Sequence, residues 1–377
     1  MANVENVALP KGTRLIFGNQ EYVIDHVLGA GGFGITYFAT SSHGAMTLQF
    51  AVKEHFIKRL CDRDSLSGSV SYNERDAEDV ENSLLDFIAE ATRLKDNDLK
   101  HPNLVKIFDV FEANGTAYYI MEYIDGVSLR QLVQKDRNKP DDVNPLPENT
   151  VLTIMTPVLD AIALLHGARI THLDLKPDNI QMGKTLEPGR YRPVVIDFGL
   201  SKHYDKKGNA TSTIRSIGRS DGYSPLEQYS GITRFSPTAD IYSLGATLYF
   251  ALTGRRPEKA SELQWTLAEK ELKAHNVSPR VCKALEHAMA KTPEARTQSV
   301  EDFASELGIR LGTPDDGDTT VLISPDHKKN HGDGEGGKSS AIKKYLVPAL
   351  IGIIFAVLGF FLFKALSGHP EQTPAAD

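Results

Sequence analysis

The nine residues Thr171-His172-Leu173-Asp174-Leu175-Lys176-Pro177-Asp178-Asn179 constrain this chain more than any other stretch. Downstream, the apolar run Val194-Val195-Ile196 ends in Asp197-Phe198-Gly199. An aspartate able to take a hydroxyl proton, a lysine two residues on and an asparagine five residues on make one catalytic loop. A second aspartate, on the turn after a strand, is placed to hold magnesium. Each residue alone reads equally well as a cap or a surface charge. In this order and spacing they read as a phosphoryl-transfer site.

Bulk properties bound the rest. The chain has 377 residues, is 41% hydrophobic and carries a formal charge of -7. That is enough apolar content for a core, and the charge argues against a general nucleic-acid binder, because phosphate backbones select basic surfaces. Cys61 and Cys282 are far apart and fit no metal-ligand spacing, so two free thiols in a reducing compartment are expected. Residues 1–12 are polar with no apolar h-region, so no secretory signal is expected. Residues 345–363 carry no charge. As a helix they would span roughly 28 Å, close to the hydrocarbon thickness of a bilayer. Lys328, Lys329, Lys338, Lys343 and Lys344 precede this run, whereas only Lys364 follows closely. The positive-inside rule then leaves the large N-terminal part in the cytoplasm. With so few residues after the span, no folded sensor domain is expected there.

The pattern between these ends is α+β. Residues 22–28 and 34–39 alternate around a glycine turn, as in a hairpin, and 50–53 is a short strand. Residues 84–94 have helical spacing, with Leu84, Phe87, Ile88, Ala91 and Leu94 on one side. Two further strands, 105–111 and 117–123, are joined by Asn114-Gly115. Beyond residue 128 the pattern turns helical, for example over 151–166 and 240–252. A strand-rich small lobe, to about residue 123, followed by a helical large lobe implies a cleft between them. Residues 312–340 are rich in Asp, Gly, Lys, Ser and Pro and read as a flexible linker. His327 and His331 in it are read as part of a solvated basic segment rather than as metal ligands.

Gly29-Ala30-Gly31-Gly32-Phe33-Gly34 follows the G-x-G-x-x-G pattern, in which missing side chains let backbone N–H groups approach phosphate oxygens. Dinucleotide-binding folds share the pattern but continue into a helix. Here Ile35-Thr36-Tyr37-Phe38 is strand-like, which favours a phosphate-covering hairpin. Lys53 on the next apolar strand is expected to be paired by Glu90 and so held against the α- and β-phosphates. Glu81 competes for that role, but Glu90 lies within the apolar periodicity of the helix. Asp174 would take the proton of the acceptor hydroxyl, Lys176 would neutralise the moving phosphoryl group, and Asn179 and Asp197 would hold the metal.

Taken together, these residues resemble the eukaryotic-type protein kinases, and within them the bacterial membrane-anchored Ser/Thr kinases, over roughly residues 15–308. The resemblance implies a bilobal protein-kinase fold with ATP and Mg2+ (or Mn2+) in the cleft and protein substrates. It implies that residues 1–14 form an extension, 309–344 a cytoplasmic linker, 345–366 a transmembrane helix and 367–377 a short extracytoplasmic tail. The chain would then sit in a bacterial inner membrane by a single pass. Gly29, Gly31, Gly32, Gly34, Thr36 and Ala51 would line the nucleotide site, with Met121 as gatekeeper and Glu122 and Tyr123 as hinge. Thr211, Ser212, Thr213 and Ser216 would be activation-loop phosphosites. Ser220 stands where Ser/Thr kinases place a threonine that contacts the catalytic Asp and Lys. Pro225-Leu226-Glu227 stands where A-P-E is expected, with Arg296 to pair Glu227. Asp240 and Gly245 match the helix that braces the catalytic loop.

Departures from the family pattern carry expectations too. Leu173 replaces the arginine that normally binds a phosphorylated activation loop, so activity is expected not to require that phosphate. Thr36 replaces a valine, Gln181 replaces the apolar residue beneath adenine, and the segment from Lys53 to Glu90 is long, with no assigned role. Asp315-Asp316-Gly317-Asp318-Thr319-Thr320-Val321-Leu322-Ile323 is either a solvated acidic linker or a peptide of the kind forkhead-associated domains read. In the second case Thr319 or Thr320 carries phosphate. Two rival functions remain: a nucleotide-binding pseudokinase and a small-molecule kinase of similar fold. The presence of Lys53, Glu90, Asp174, Asn179 and Asp197 weighs against the first. Lys176 and the P-L-E segment weigh against the second.

Overall fold

Alternation of apolar and polar residues builds the first lobe. Along Gly34–His43, Ile35, Tyr37, Ala39 and Ser41 are buried while Thr36, Phe38 and Thr40 are only partly so, the period of a sheet with one covered face. Strands β1 (Arg14–Phe17), β2 (Gln20–Ala30), β3 (Gly34–His43) and β4 (Met46–His55) follow one another. A small hairpin, β5 (Cys61–Arg63) and β6 (Val70–Tyr72), precedes helix α1 (Ala77–Asp96). Strands β7 (Ile107–Ala113) and β8 (Thr116–Glu122) complete a six-stranded antiparallel sheet in the order β1-β2-β3-β4-β8-β7. Asn114 and Gly115 between the last two have φ of 53° and 69°. Two consecutive left-handed residues make the turn whose twist matches a hairpin.

The computed structural model describes residues 6–96, 99–134, 139, 142–198, 201–204, 219–229, 236–312 and 320–323. Thr211, Ser212, Thr213 and Ser216, Thr319, and the apolar run at 345–366 lie outside these residues.

The second lobe starts with β9 (Gly126–Ser128) and α2 (Leu129–Val133), where Ser128 and Gln131 form a capping box. Helix α3 (Glu148–Gly167), β10 (Ile170–Thr171), β11 (Ile180–Lys184), β12 (Arg190–Val195) and β13 (Lys202–His203) follow. Then come α4 (Pro237–Thr253), α5 (Trp265–Ala274), α6 (Pro279–Ala288) and α7 (Val300–Leu307). Every residue of α4 from Thr238 to Thr253 is buried, so it is the central post of the lobe. Helix α3 is long and apolar enough to cross a membrane, but its buried face, from Val151 to Leu165, belongs to the lobe's core. One apolar cluster runs from Phe87, Ala91, Tyr119 and Met121 of the first lobe to Leu159, Val194 and Leu248 of the second. The cleft therefore has a shared, packed back wall.

Three segments differ from the sequence reading. Leu9, within the stretch read as an extension, is buried, and its N–H donates to Tyr37 Oη at 3.1 Å. The long segment after Lys53 forms the β5–β6 hairpin, which delivers Arg63 to a buried carboxylate: Arg63 Nη2 donates to Glu54 at 2.6 Å. The stretch read as a linker contributes to the fold at its described residues. Ile309 and Leu311 pack against the core, and β14 (Val321–Leu322) joins the sheet β14-β12-β11-β9. Its apolar residues explain this, because Val321 finds cover on β12 that open solvent does not offer. The two cysteines are free and buried.

Candidate active site

Between the lobes lies a cleft of about 860 Å³. Gly29, Gly31, Gly32, Gly34, Thr36, Ala51 and Lys53 line it from above, and Met121, Glu122 and Tyr123 from the rear. Asp174, Lys176, Asn179, Gln181, Asp197 and Ser220 form the floor and front. All the cleft residues expected from the sequence converge here except Glu90. A Cβ built on Gly29, Gly31 or Gly32 would meet nothing within 4 Å, whereas one on Gly34 would stand 2.6 Å from the Glu54 carbonyl oxygen. The first three glycines thus keep space open over the cleft, and the last allows β3 to press on β4. That open, side-chain-free roof fits a polyphosphate.

The register of β4 places Lys53 opposite Thr36 on one side and Tyr119 on the other. Its ammonium is paired with Asp197. Burial works against the charge, but Asp197 beside it, with Tyr119 and Asp174, holds the Lys53 pKa above the ordinary lysine value. Among the described residues, the expected Lys53–Glu90 pair is not formed. Glu90 is buried among Phe87, Leu94, Ile107, Tyr119 and Phe198, behind the cleft. Glu81 lies on the outer side, accepting from Tyr72 Oη at 3.3 Å. The helical periodicity therefore picked the inward glutamate correctly. It could not say which carboxylate the lysine would choose, since Asp197 is 144 positions away in sequence.

The catalytic loop is fixed from beneath. Asp240, fully buried on α4, accepts from the backbone N–H of His172 and of Leu173, both at 2.8 Å, and lies 2.8 Å from His166 Nε2. Burial pushes the His172 imidazole below its usual pKa against the pull of nearby carboxylates. Its Nδ1 accepts from the Asp174 N–H at 3.3 Å. Leu173 and Asp197 both have φ of 64°. A left-handed conformation costs a non-glycine residue about 1–2 kcal/mol, so the surroundings must hold it in place. At Leu173 they do so on both sides: Asp240 takes the N–H, and Gln228 Nε2 donates to the carbonyl at 2.8 Å.

Asp174 itself is at the centre of a donor set. Ser220 Oγ donates to one carboxylate oxygen at 2.8 Å. Lys176 Nζ at 2.7 Å and Asn179 Nδ2 at 3.0 Å donate to the other. Lys176 also reaches Ser220 Oγ at 3.1 Å. Because the Asn179 amide nitrogen is committed to Asp174, its oxygen is the end able to face a cation. Asn179 and Asp197 would offer two oxygens to a cation, a set that suits Mg2+, which completes its shell with water and phosphate oxygens. Among the described residues no three His, Cys, Asp or Glu side chains gather into a metal-sized cluster.

The segment before α4 is anchored to the large lobe. Arg296 donates to both oxygens of Glu227, at 2.5 and 2.9 Å, with the arginine 3% and the glutamate 7% exposed. The sequence foresaw this pair. It missed three others. Gln228 holds Leu173, as above. Arg130 joins Asp178 at 2.6 Å to Tyr223 Oη at 2.9 Å. Arg192 contacts the Glu122 carboxylate of the hinge and donates to the Pro102 carbonyl at 2.8 Å. Gln228 stands beside Glu227, and Arg192 two residues after Arg190, so polar neighbours gave neither a distinguishing signal in the sequence.

Residues 22–308 match the family model described as protein kinase domain. Serine/threonine-protein kinase C of Synechocystis sp. is 27% identical over 300 residues, which cover 77% of this chain and 50% of that protein. Serine/threonine-protein kinase PknF of Mycobacterium tuberculosis is 30% identical over 315 residues, covering 81% of this chain and 59% of its own length. The chain spans about half the length of the curated relatives it matches. Among solved structures, that titled PpkA-294 apo form is 28% identical, with a TM-score of 0.61, covering 80% of this chain and 99% of that one.

Proposed function

The chain belongs to the protein kinase domain family, and from that premise we propose that it is an ATP- and Mg2+-dependent protein serine/threonine kinase whose acceptors are hydroxyls of proteins, its own included. The observation that carries this reading is the donor set on Asp174, open to a cleft roofed by the glycine loop. ATP and Mg2+, when bound, supply the γ-phosphoryl group and charge neutralisation on the phosphates. Asp174 orients the incoming hydroxyl and takes its proton. Ser220 and Lys176 keep the carboxylate aimed at the cleft, and Lys176 offers positive charge where the phosphoryl group passes. Lys53 and Asp197 must part for one to meet phosphate and the other the metal. Glu90, inside the back wall, is then the carboxylate nearest in role to receive Lys53. Transfer of labelled γ-phosphate to a generic protein substrate tests the reading; nucleotide binding without transfer would favour a pseudokinase scaffold. Ser220 and the Glu227–Arg296 anchor favour a peptide substrate over a small molecule.

Gln228 supports independence from loop phosphorylation. With leucine at 173, the segment before α4 meets that position through a neutral hydrogen bond rather than through an arginine and a phosphate. Replacing Thr211, Ser212, Thr213 and Ser216 together by alanine should leave activity towards an added substrate within about tenfold, or 1.4 kcal/mol of barrier. Gln228→Glu, which keeps the shape but loses the donor at neutral pH, should cost kcat at least that much and leave the KM for ATP nearly unchanged. A hundredfold loss in the alanine variant would show that loop phosphate is required.

We propose further that residues 345–366 anchor the chain in a bacterial cytoplasmic membrane with the kinase domain on the cytoplasmic side. The length and lack of charge of residues 345–363, and the lysines before them, support this. Deleting residues 341–377 should release the protein into the soluble fraction with kinase activity retained. A truncated protein that still sediments with membranes in high salt would contradict the anchor. Thr319 or Thr320, following three aspartates, is proposed as an autophosphorylation site that recruits a phosphothreonine-binding partner of the forkhead-associated kind.

A further inference from the structure

The segment that contains Thr320 is already engaged. Val321 and Leu322 pair antiparallel with Tyr191 and Arg190 of β12, and the Ile323 N–H donates to the Gly189 carbonyl at 2.8 Å. Arg190 Nη1 donates to Thr320 Oγ1 at 3.1 Å. Val321 is 4% exposed and joins the main core cluster, with Tyr191 and Ile323 packed against it, while Leu322 faces solvent. Backbone pairing, one buried side chain and one side-chain hydrogen bond together form the pattern by which an extended peptide adds to an open sheet edge.

We propose that the outer edge of β12 is a strand-docking surface whose partner is this chain's own segment, residues 320–323, and that docking there and phosphorylation of Thr320 exclude one another. Two observations carry the exclusion. First, transfer requires the acceptor hydroxyl within hydrogen-bond reach of Asp174, and neither residues 189–191 nor 320–323 line the catalytic cleft. A threonine hydrogen-bonded to Arg190, on a strand held at Gly189 and β12, cannot enter that cleft or a neighbour's until the strand leaves. Second, Arg190 Nε already donates to Glu187 at 2.9 Å. A phosphate on Thr320 would have to share the single Arg190 guanidinium with that carboxylate, leaving about two negative charges uncompensated there, which opposes re-docking. The edge of β12 therefore engages the acceptor hydroxyl and hides Val321, the apolar residue next to it that a phosphothreonine reader would use. This inference rests on the proposed linker phosphosite for its second half only.

Hydrogen exchange on the full chain carrying Asp174→Asn, which removes phosphorylation from the experiment, tests docking alone. The Ile323 amide should be protected, and Val321→Asp in the same background should remove that protection. Phosphate incorporation at Thr320 is then compared in the active full chain with and without Val321→Asp. Each value is divided by the rate on a free peptide of the same sequence, residues 313–326, which cancels the effect of the new aspartate on substrate recognition. The ratio should rise at least tenfold in Val321→Asp. An unprotected Ile323 amide would overturn the docking surface. A protected amide with an unchanged ratio would overturn the exclusion. A protected amide with no phosphate on either chain or peptide would retire the phosphosite reading, and the exclusion with it, while leaving the docking surface standing.

Discussion

Asp174→Asn is expected to lower phosphoryl transfer by about 10²–10⁴-fold, the usual worth of a positioned general base. The asparagine keeps the size of the side chain, and Ser220, Lys176, Asn179 and the Asp240 brace remain. Thermal unfolding and nucleotide affinity should therefore stay close to those of the parent. Lys53→Met should cause a loss of similar size by a different route. It removes the charge that Asp197 holds and that would align the phosphates, so its effect should appear in the KM for ATP as well as in kcat. Single-turnover assays with labelled ATP separate the two. If either variant transfers phosphate within a few-fold of the parent, the assignment of the site is wrong.

Arg63→Met is expected to destabilise the first lobe by about 3–5 kcal/mol, the cost of stripping the partner from a buried ion pair. Glu54 is fully buried and Arg63 has only 4% of its side chain exposed. Their pair is supported by Tyr37 Oη and Tyr118 Oη, which donate to Glu54 at 2.6 and 2.7 Å, and by the Val7 and Gly68 carbonyls on Arg63. Burial and the Glu54 carboxylate push the Tyr37 and Tyr118 hydroxyls well above the usual tyrosine pKa, so both stay protonated as donors. Without the arginine, the carboxylate keeps those two donors but has no cation. Combining Arg63→Met with Glu54→Gln should recover most of the loss, because the charge that needed a partner is gone. Urea unfolding of the two variants reads the difference. A single-variant cost below about 1 kcal/mol would place the pair among weak surface bridges instead.

These two predictions differ in how much of their basis the sequence shows. Asp174, Lys176 and Asn179 sit within six consecutive residues, and loop chemistry at that range depends on local geometry. The helix carrying Glu90 is likewise visible, because a period of 3.6 marks its inward face. The Glu54–Arg63 pair is hidden: both residues are charged, and a charge in a strand ordinarily reads as exposed. Only the folding of the β5–β6 hairpin against the sheet shows that no solvent reaches them.

The sequence by itself determined the two-lobed α+β class, the catalytic loop and the glycine roof, since each is written in contiguous residues whose spacing has a direct geometric meaning. It determined the Glu227–Arg296 anchor only through family resemblance. Tertiary structure decided everything that depends on which distant groups meet. It put Lys53 on Asp197 rather than Glu90 and Gln228 under Leu173. It also set the segment at 320–323 on β12 rather than in solvent. A two-residue strand has no period to read, and its pairing depends on where an open edge lies. That edge exists only after the large lobe has assembled its sheet, which is why a stretch that composition marks as a tether ends as part of the fold.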